Sequence, residues 1–203
     1  MFPLPLFHAR QPNDEFTFMY LGSHAQADGI ENMIQAMRII KDQNDKPLIK
    51  LRLIGDGPLK ASLQALVQQL GLSDVSFENP VAKNLIPKIA LQADAFIVVV
   101  LNFPKLYRYG ISMNKLYDYL ASARPIVIAS NAANNPVVEA NAGIAIETAN
   151  PEYLAAAILQ LVKMSDPERE QLGRNGRNYV QDNHSFELLS RKFAAVLDDV
   201  CES

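Results

Sequence analysis

Tyr107-Arg108-Tyr109-Gly110-Ile111-Ser112-Met113-Asn114-Lys115-Leu116-Tyr117-Asp118-Tyr119-Leu120 lies between two apolar runs, Ala95 to Leu101 and Pro125 to Ala129, that read as buried strands. Ser112 suits a helix N-cap. Met113, Leu116, Tyr117 and Leu120 follow at helical spacing, so one face of the helix should pack on a sheet. The opposite face carries Lys115, Asp118 and Ser122. Lys115 then falls in the first turn, where the macrodipole is positive and an acid is preferred. Two readings meet this conflict. A phosphate held by the free N–H groups of the helix start and by the lysine resolves it. So does a solvated face with an Asp118–Lys115 pair at i, i+3, worth roughly 0.2–0.5 kcal/mol.

Working outward, strand patterns alternate with helix patterns. Phe16 to Leu21 reads as the first strand, ending at Gly22-Ser23, and Ile30, Met33, Ile34, Met37 and Ile40 form one helical stripe after it. Leu48 to Ile54 is the second strand, with Gly55-Asp56-Gly57-Pro58 as its exit, and Leu59, Leu63, Leu66 and Leu70 carry a helix to Gly71. Val75 to Phe77, Ala95 to Leu101, Pro125 to Ala129 and Gly143 to Ile146 read as the remaining strands, with short helices through Leu85 to Ala90 and Val137 to Ala140. The end is helical: Tyr153 to Met164, Pro167 to Val180 and Phe186 to Val200, punctuated by Ser165-Asp166-Pro167 and Asn183-His184-Ser185. This pattern predicts an α/β fold, a Rossmann-like parallel sheet of about six strands with helices on both faces and right-handed crossovers. Residues 1–15, with three prolines, read as a linker or N-terminal arm, and 16–203 as one domain. Ligands of such sheets bind beyond the carboxyl ends of the strands.

Composition excludes several classes. With 203 residues, 49% hydrophobic and 20% charged, the chain can bury roughly 70% of its unfolded surface in one core. No segment reaches the length of a membrane span. A net charge of −3 and a pI near 5.6 give no overall attraction to nucleic acid or anionic lipid, so any anion site must be local. Cys201 is the single cysteine, which suits a reducing compartment, and Met1 to His8 lacks the basic start and continuous apolar core of a secretion signal. The expected location is the cytoplasm.

Several chemistries lack their residues. Gly55-Asp56-Gly57-Pro58 does not extend to G-x-G-x-x-G with a downstream ribose acid, and there is no G-x-S-x-G or Walker A sequence. His8 and His184 have no partners at metal-ligand spacing, so no metal is expected. His24 at the first strand exit reads either as a donor to a phosphate or as a loop histidine facing water. Lys105 and Arg108 flank the loop before Ser112, where they read either as diphosphate ligands or as solvated cations. The tyrosines at 107, 109, 117 and 119 read as packing. Asp118, one and a half turns into the helix, is placed to accept two hydrogen bonds from a ribose diol. Together these residues describe a nucleoside diphosphate lying across strand exits.

The ordered series Tyr20-Leu21-Gly22-Ser23 with Gly29-Ile30-Glu31, Leu53-Ile54-Gly55-Asp56-Gly57-Pro58, Val75-Ser76-Phe77, Ala93-Asp94-Ala95, and above all Gly110 to Ala121 with Arg124-Pro125-Ile126-Val127, resembles a known family. From about Phe16 to Leu197 the chain resembles the C-terminal, donor-binding half of a GT-B glycosyltransferase of retaining family four, the glycosyl transferases group 1. It is nearest the branch acting on N-acetylfucosamine-type sugars in capsule, O-antigen and colanic acid assembly. The resemblance implies a nucleotide-sugar site, a UDP-sugar by preference. Its residues would be Gly22, Ser23 and His24 at the first exit, Asp56 at the second, Asn79 and Val81 reading the base at the third, and Gly110, Ile111, Ser112, Asn114, Lys115 and Asp118 at the fourth. Asp118 matches the second acid of the family's Glu-x7-Glu motif, and Gly110 stands where the first acid is expected, leaving backbone near Ile111-Ser112 to make that sugar contact. Ser23 and Asp28 stand where the family's diphosphate-gripping Arg and Lys are expected. Lys115 and Arg108 are the implied substitutes that stabilise the departing diphosphate.

The resemblance also implies partners. An N-terminal acceptor-binding domain is missing from the chain, the last helix resembles the one that leans back across the interdomain cleft, and membrane contact would come only through a lipid-linked acceptor. The chain alone is then expected to transfer little or nothing. A non-catalytic nucleotide-binding or partner-subunit module is the rival reading. A sugar-nucleotide epimerase is disfavoured, because Tyr-x-x-x-Lys is absent.

Overall fold

Along β1 (Phe16–Ser23), Phe16, Phe18 and Tyr20 are buried on one face of a sheet and Met19 and Leu21 on the other, as in a strand covered on both sides. The computed structural model describes residues 14–44, 46–101, 110–147 and 149–201. β1 pairs with β2 (Ile49–Asp56) and β4 (Ala95–Val99); β2 also pairs with β3 (Val75–Glu78), and β4 with β5 (Ile126–Ala129), which pairs with β6 (Gly143–Ile146). All pairs are parallel, in the order β3-β2-β1-β4-β5-β6. The expected six-stranded parallel sheet is what the chain forms. The order reverses between β1 and β4, which places the ligand crevice at the carboxyl ends of the central strands.

The helices divide between the faces. α1 (Ile30–Lys41), α2 (Lys60–Gln69) and α6 (Pro151–Lys163) bury their stripes against Phe18, Tyr20, Ile97 and Val127. α3 (Ile86–Ala90), α4 (Asn114–Ala121) and α5 (Pro136–Glu139) cover Met19, Phe96, Val98 and Ile128 on the other side. α7 (Asp166–His184) starts on a capping box of Ser165 and Glu168, and its Leu172 joins the first cluster while Tyr179 and Val180 lean on the second. α8 (Phe186–Cys201) buries none of its residues, and Phe186 and Phe193 are 91% and 65% exposed. Among the described residues no helix is long and apolar enough to cross a membrane.

Two local expectations fail. Ser112 does not cap α4: the helix begins at Asn114, Met113 holds the cap position in extended backbone, and no side chain caps it. The reason is Asn134, whose amide accepts from Ile111 N at 2.6 Å and donates to Ile111 O at 3.0 Å, holding the main chain before the helix. Ser122 is not on a solvated face either; it is buried, with its hydroxyl on Tyr119 O at 2.6 Å.

Candidate functional site

A cavity of about 360 Å³ opens at the carboxyl ends of β1 and β2. Its floor is main chain. Gly22 and Gly55 stand in register on the two strands, and a Cβ on Gly55 would lie 1.8 Å from Gly22 O, so this approach tolerates only glycine. Pro80 and Val81, from the segment after β3, and Ile86 at the start of α3 form an apolar wall, and Lys115, Asp118 and Tyr119 of α4 line the cavity with them. Ser23 and Asp56 complete the rim, and Asp56 caps its own turn by accepting from Gly57 N at 2.9 Å.

Tyr119 fixes α4 on the sheet. Its ring stacks on Phe96 with centroids 4.1 Å apart, and its hydroxyl accepts from Leu21 N and donates to Leu21 O, both at 2.7 Å. Burial holds its phenol far above the usual range, so it stays neutral. Asp118, the preceding residue, therefore has a defined place on the cavity wall. It is half-buried, and its carboxylate has no hydrogen-bond partner among the described residues. Burial raises its carboxyl above the usual range, and Lys83 opposes that shift. An open acceptor facing a cavity suits the diol expected of it.

Lys115 resolves the helix-start conflict in a way the sequence did not suggest. Its ammonium crosses the end of β1 over Gly22, pairs with Asp28, and donates to the Tyr20 hydroxyl at 2.7 Å. The Tyr20 hydroxyl in turn donates to Ser23 O at 2.7 Å. Lys115 is not paired with Asp118, and the negative group beside it is a side chain of the same protein. Asp28 closes a 3-10 turn (Gln26–Asp28) and is only 7% exposed. Burial and Asp28 hold the Tyr20 phenol far above its usual range.

Other expected residues fall elsewhere. His24 neither faces water nor lines the cavity: it is fully buried, edge-on to Phe77 at 5.7 Å, and neither ring nitrogen has a hydrogen-bond partner among the described residues. The phosphate-donor role expected of it finds no opening here. Burial, then Lys60, pulls its imidazole below the ordinary value. Ile111 is buried in the core and Gly110, at φ +103, lies against Asn134, while Ser112, Asn114 and Asn79 are exposed near the cavity but outside its wall. A Cβ at position 110 would lie 2.0 Å from Asn134 Oδ1, so the place of an acidic side chain there is taken by an amide. Arg108, with Lys105, Tyr107 and Tyr109, lies outside the described residues. Among the described residues no group of three His, Cys, Asp or Glu is arranged to hold a metal ion.

Sequence reasoning missed Tyr20, Asp28 and Asn134 as partners. Asp28 and Lys115 are 87 residues apart, and no periodicity joins them. The only hint was an acid standing where a cation was expected.

Known proteins share this fold. The putative colanic acid biosynthesis glycosyl transferase WcaI of Escherichia coli (strain K12) is 28% identical over 186 residues, covering 90% of this chain and 43% of WcaI. The chain thus spans less than half the length of that relative. TarM of S. aureus, solved with UDP, matches with a TM-score of 0.76 and 17% identity over 96% of this chain and 37% of TarM. Anabaena Alr3699/HepE, solved with UDP and glucose, gives 0.72 and 15% over 91% of this chain and 48% of its own. The C-terminal domain of the glycosyl transferase group 1 family protein LpcC from Francisella tularensis gives 0.70 and 18%, covering 90% of this chain and 96% of that domain. At these identities the structures speak for the fold alone, the Rossmann-like parallel sheet seen in domains of GT-B glycosyltransferases. The sequence pattern of one family, described as glycosyl transferases group 1, matches residues 15–164, the sheet and its cavity together, and the chain belongs to that family.

Proposed function

We propose that this chain is the donor-binding half of a retaining glycosyltransferase that moves a sugar from a nucleoside diphosphate sugar, by preference a UDP-sugar, to a glycan or lipid-linked acceptor. The observation that carries the reading is Asp118, a carboxylate with no hydrogen-bond partner among the described residues, on the wall of a cavity floored by backbone at the sheet's switch point. The ribose diol would lie on Asp118, the base between Val81 and Ile86, and the diphosphate toward Lys115 and the start of α4. UDP in the related TarM and HepE structures supports the choice of base. A role in surface polysaccharide synthesis is supported by the likeness to WcaI. Transfer would need the second, acceptor-binding domain, and the whole enzyme would work in the cytoplasm, peripheral to the inner membrane where its acceptor is lipid-linked.

Calorimetric titration with UDP, GDP and ADP, with and without Mg²⁺, tests the reading. One nucleotide should bind saturably, and Asp118→Ala should weaken it about tenfold, as expected for lost hydrogen bonds to a charged acceptor. Equal affinities for wild type and variant would remove Asp118 from the site. A second reading, a nucleotide-binding module without catalysis, is favoured by one contact, the Asn134 amide standing where an acidic side chain at position 110 would go. Sugar transfer by this chain mixed with an acceptor-binding half would decide against it.

A further inference from the structure

We propose that Asp28 is an internal counter-anion: it occupies Lys115 in the place a ligand phosphate would take, and so weakens the cavity's preference for a diphosphate over the bare nucleoside. The inference rests on the nucleotide-site reading above and adds a determinant of specificity to it.

The geometry supplies the argument. Among the described residues Lys115 is the cation on the cavity wall, and its ammonium is already in contact with Asp28 and hydrogen-bonded to Tyr20. Lys60, another cation near these exits, is held on Gly55 O at 2.8 Å and Glu78 O at 3.0 Å. An approaching phosphate therefore meets a lysine–aspartate dipole, not a bare positive charge, and the nearby carboxylate cancels much of the attraction. Asp28 cannot simply step aside, because it is 7% exposed and an unpaired buried carboxylate is strongly disfavoured. Lys115 must instead share its donors between Asp28 and the phosphate. Tyr20 keeps the shared position open: its hydroxyl is fixed on Ser23 O and accepts from Lys115, which leaves the ammonium at the end of β1.

The test is the ratio of UDP to uridine affinity, measured by calorimetry on the wild-type chain and on Asp28→Asn. An uncompensated charged hydrogen bond to phosphate raises that ratio to about tenfold or more, so the wild-type ratio should fall below about tenfold. Asp28→Asn, which keeps the shape and removes the charge, should raise it by about tenfold with uridine affinity unchanged. A wild-type ratio above about tenfold overturns the proposal, whether or not the variant folds. An unchanged or lower ratio in folded Asp28→Asn also overturns it, the lower ratio meaning that Asp28 positions Lys115 for phosphate. If neither UDP nor uridine binds to either protein, the donor-site reading itself falls and takes this one with it. Binding without the ratio change removes only the role of Asp28.

Discussion

His24 has both ring nitrogens buried and without a hydrogen-bond partner among the described residues, and that makes it a proton-linked weak point. Its folded-state pKa lies below the ordinary value, so below about pH 6.5 the unfolded chain binds more protons than the folded one and stability falls as pH drops. Thermal melts from about pH 7 to about pH 5 should show a steeper loss in wild type than in His24→Leu, where this imidazole cannot titrate. Parallel loss in the two proteins would mean that other groups carry the acid sensitivity. Asp118 shifts the opposite way, and its ionised form is the better diol acceptor, so nucleoside affinity should weaken as pH falls through its raised pKa. Asp118 was legible because its spacing in the Gly110–Asp118 stretch placed it on a helix beside a strand exit. Asp28 and Asn134 were not legible, since each works through one tertiary contact with a residue far along the chain.

Among the elements, α4 and α8 stand at opposite extremes. α4 is tied to β1 through the reciprocal Tyr119–Leu21 hydrogen bonds, and its apolar spacing alone identifies its packing face. Its start is not readable in the same way, because Ser112 has the chemistry of a cap, while Asn134 grips Ile111 and delays the helix. α8 shows the same clarity of pattern with its apolar face uncovered among the described residues: Phe186, Leu189, Phe193 and Val196 follow helical spacing, and all are exposed. Since none of its residues is buried, ending the chain after Ser185 should move the melting temperature by less than about 3 °C. A larger drop would mean that α8 packs on the domain in solution.

At the scale of the whole molecule, two apolar clusters share one sheet, and every central strand contributes side chains to both. The clusters cannot come apart without breaking the same strands. Far-UV circular dichroism and tyrosine absorbance should therefore report a single melting transition with one midpoint. Two midpoints would show that one helical layer detaches first. The six strands and their helices were readable throughout, because buried parallel strands write continuous apolar runs and their covering helices write stripes. The strand order was not, since hydropathy records which faces are buried and not which neighbours bury them. The glycine floor of the cavity sets how this protein can change over generations. At Gly55 no graded series of side chains exists for selection to sample, because even alanine collides with the main chain of the neighbouring strand at Gly22. Variation is open at the rim, at residues such as Val81, Lys115 and Asp118, while position 55 beneath them has no room for a side chain.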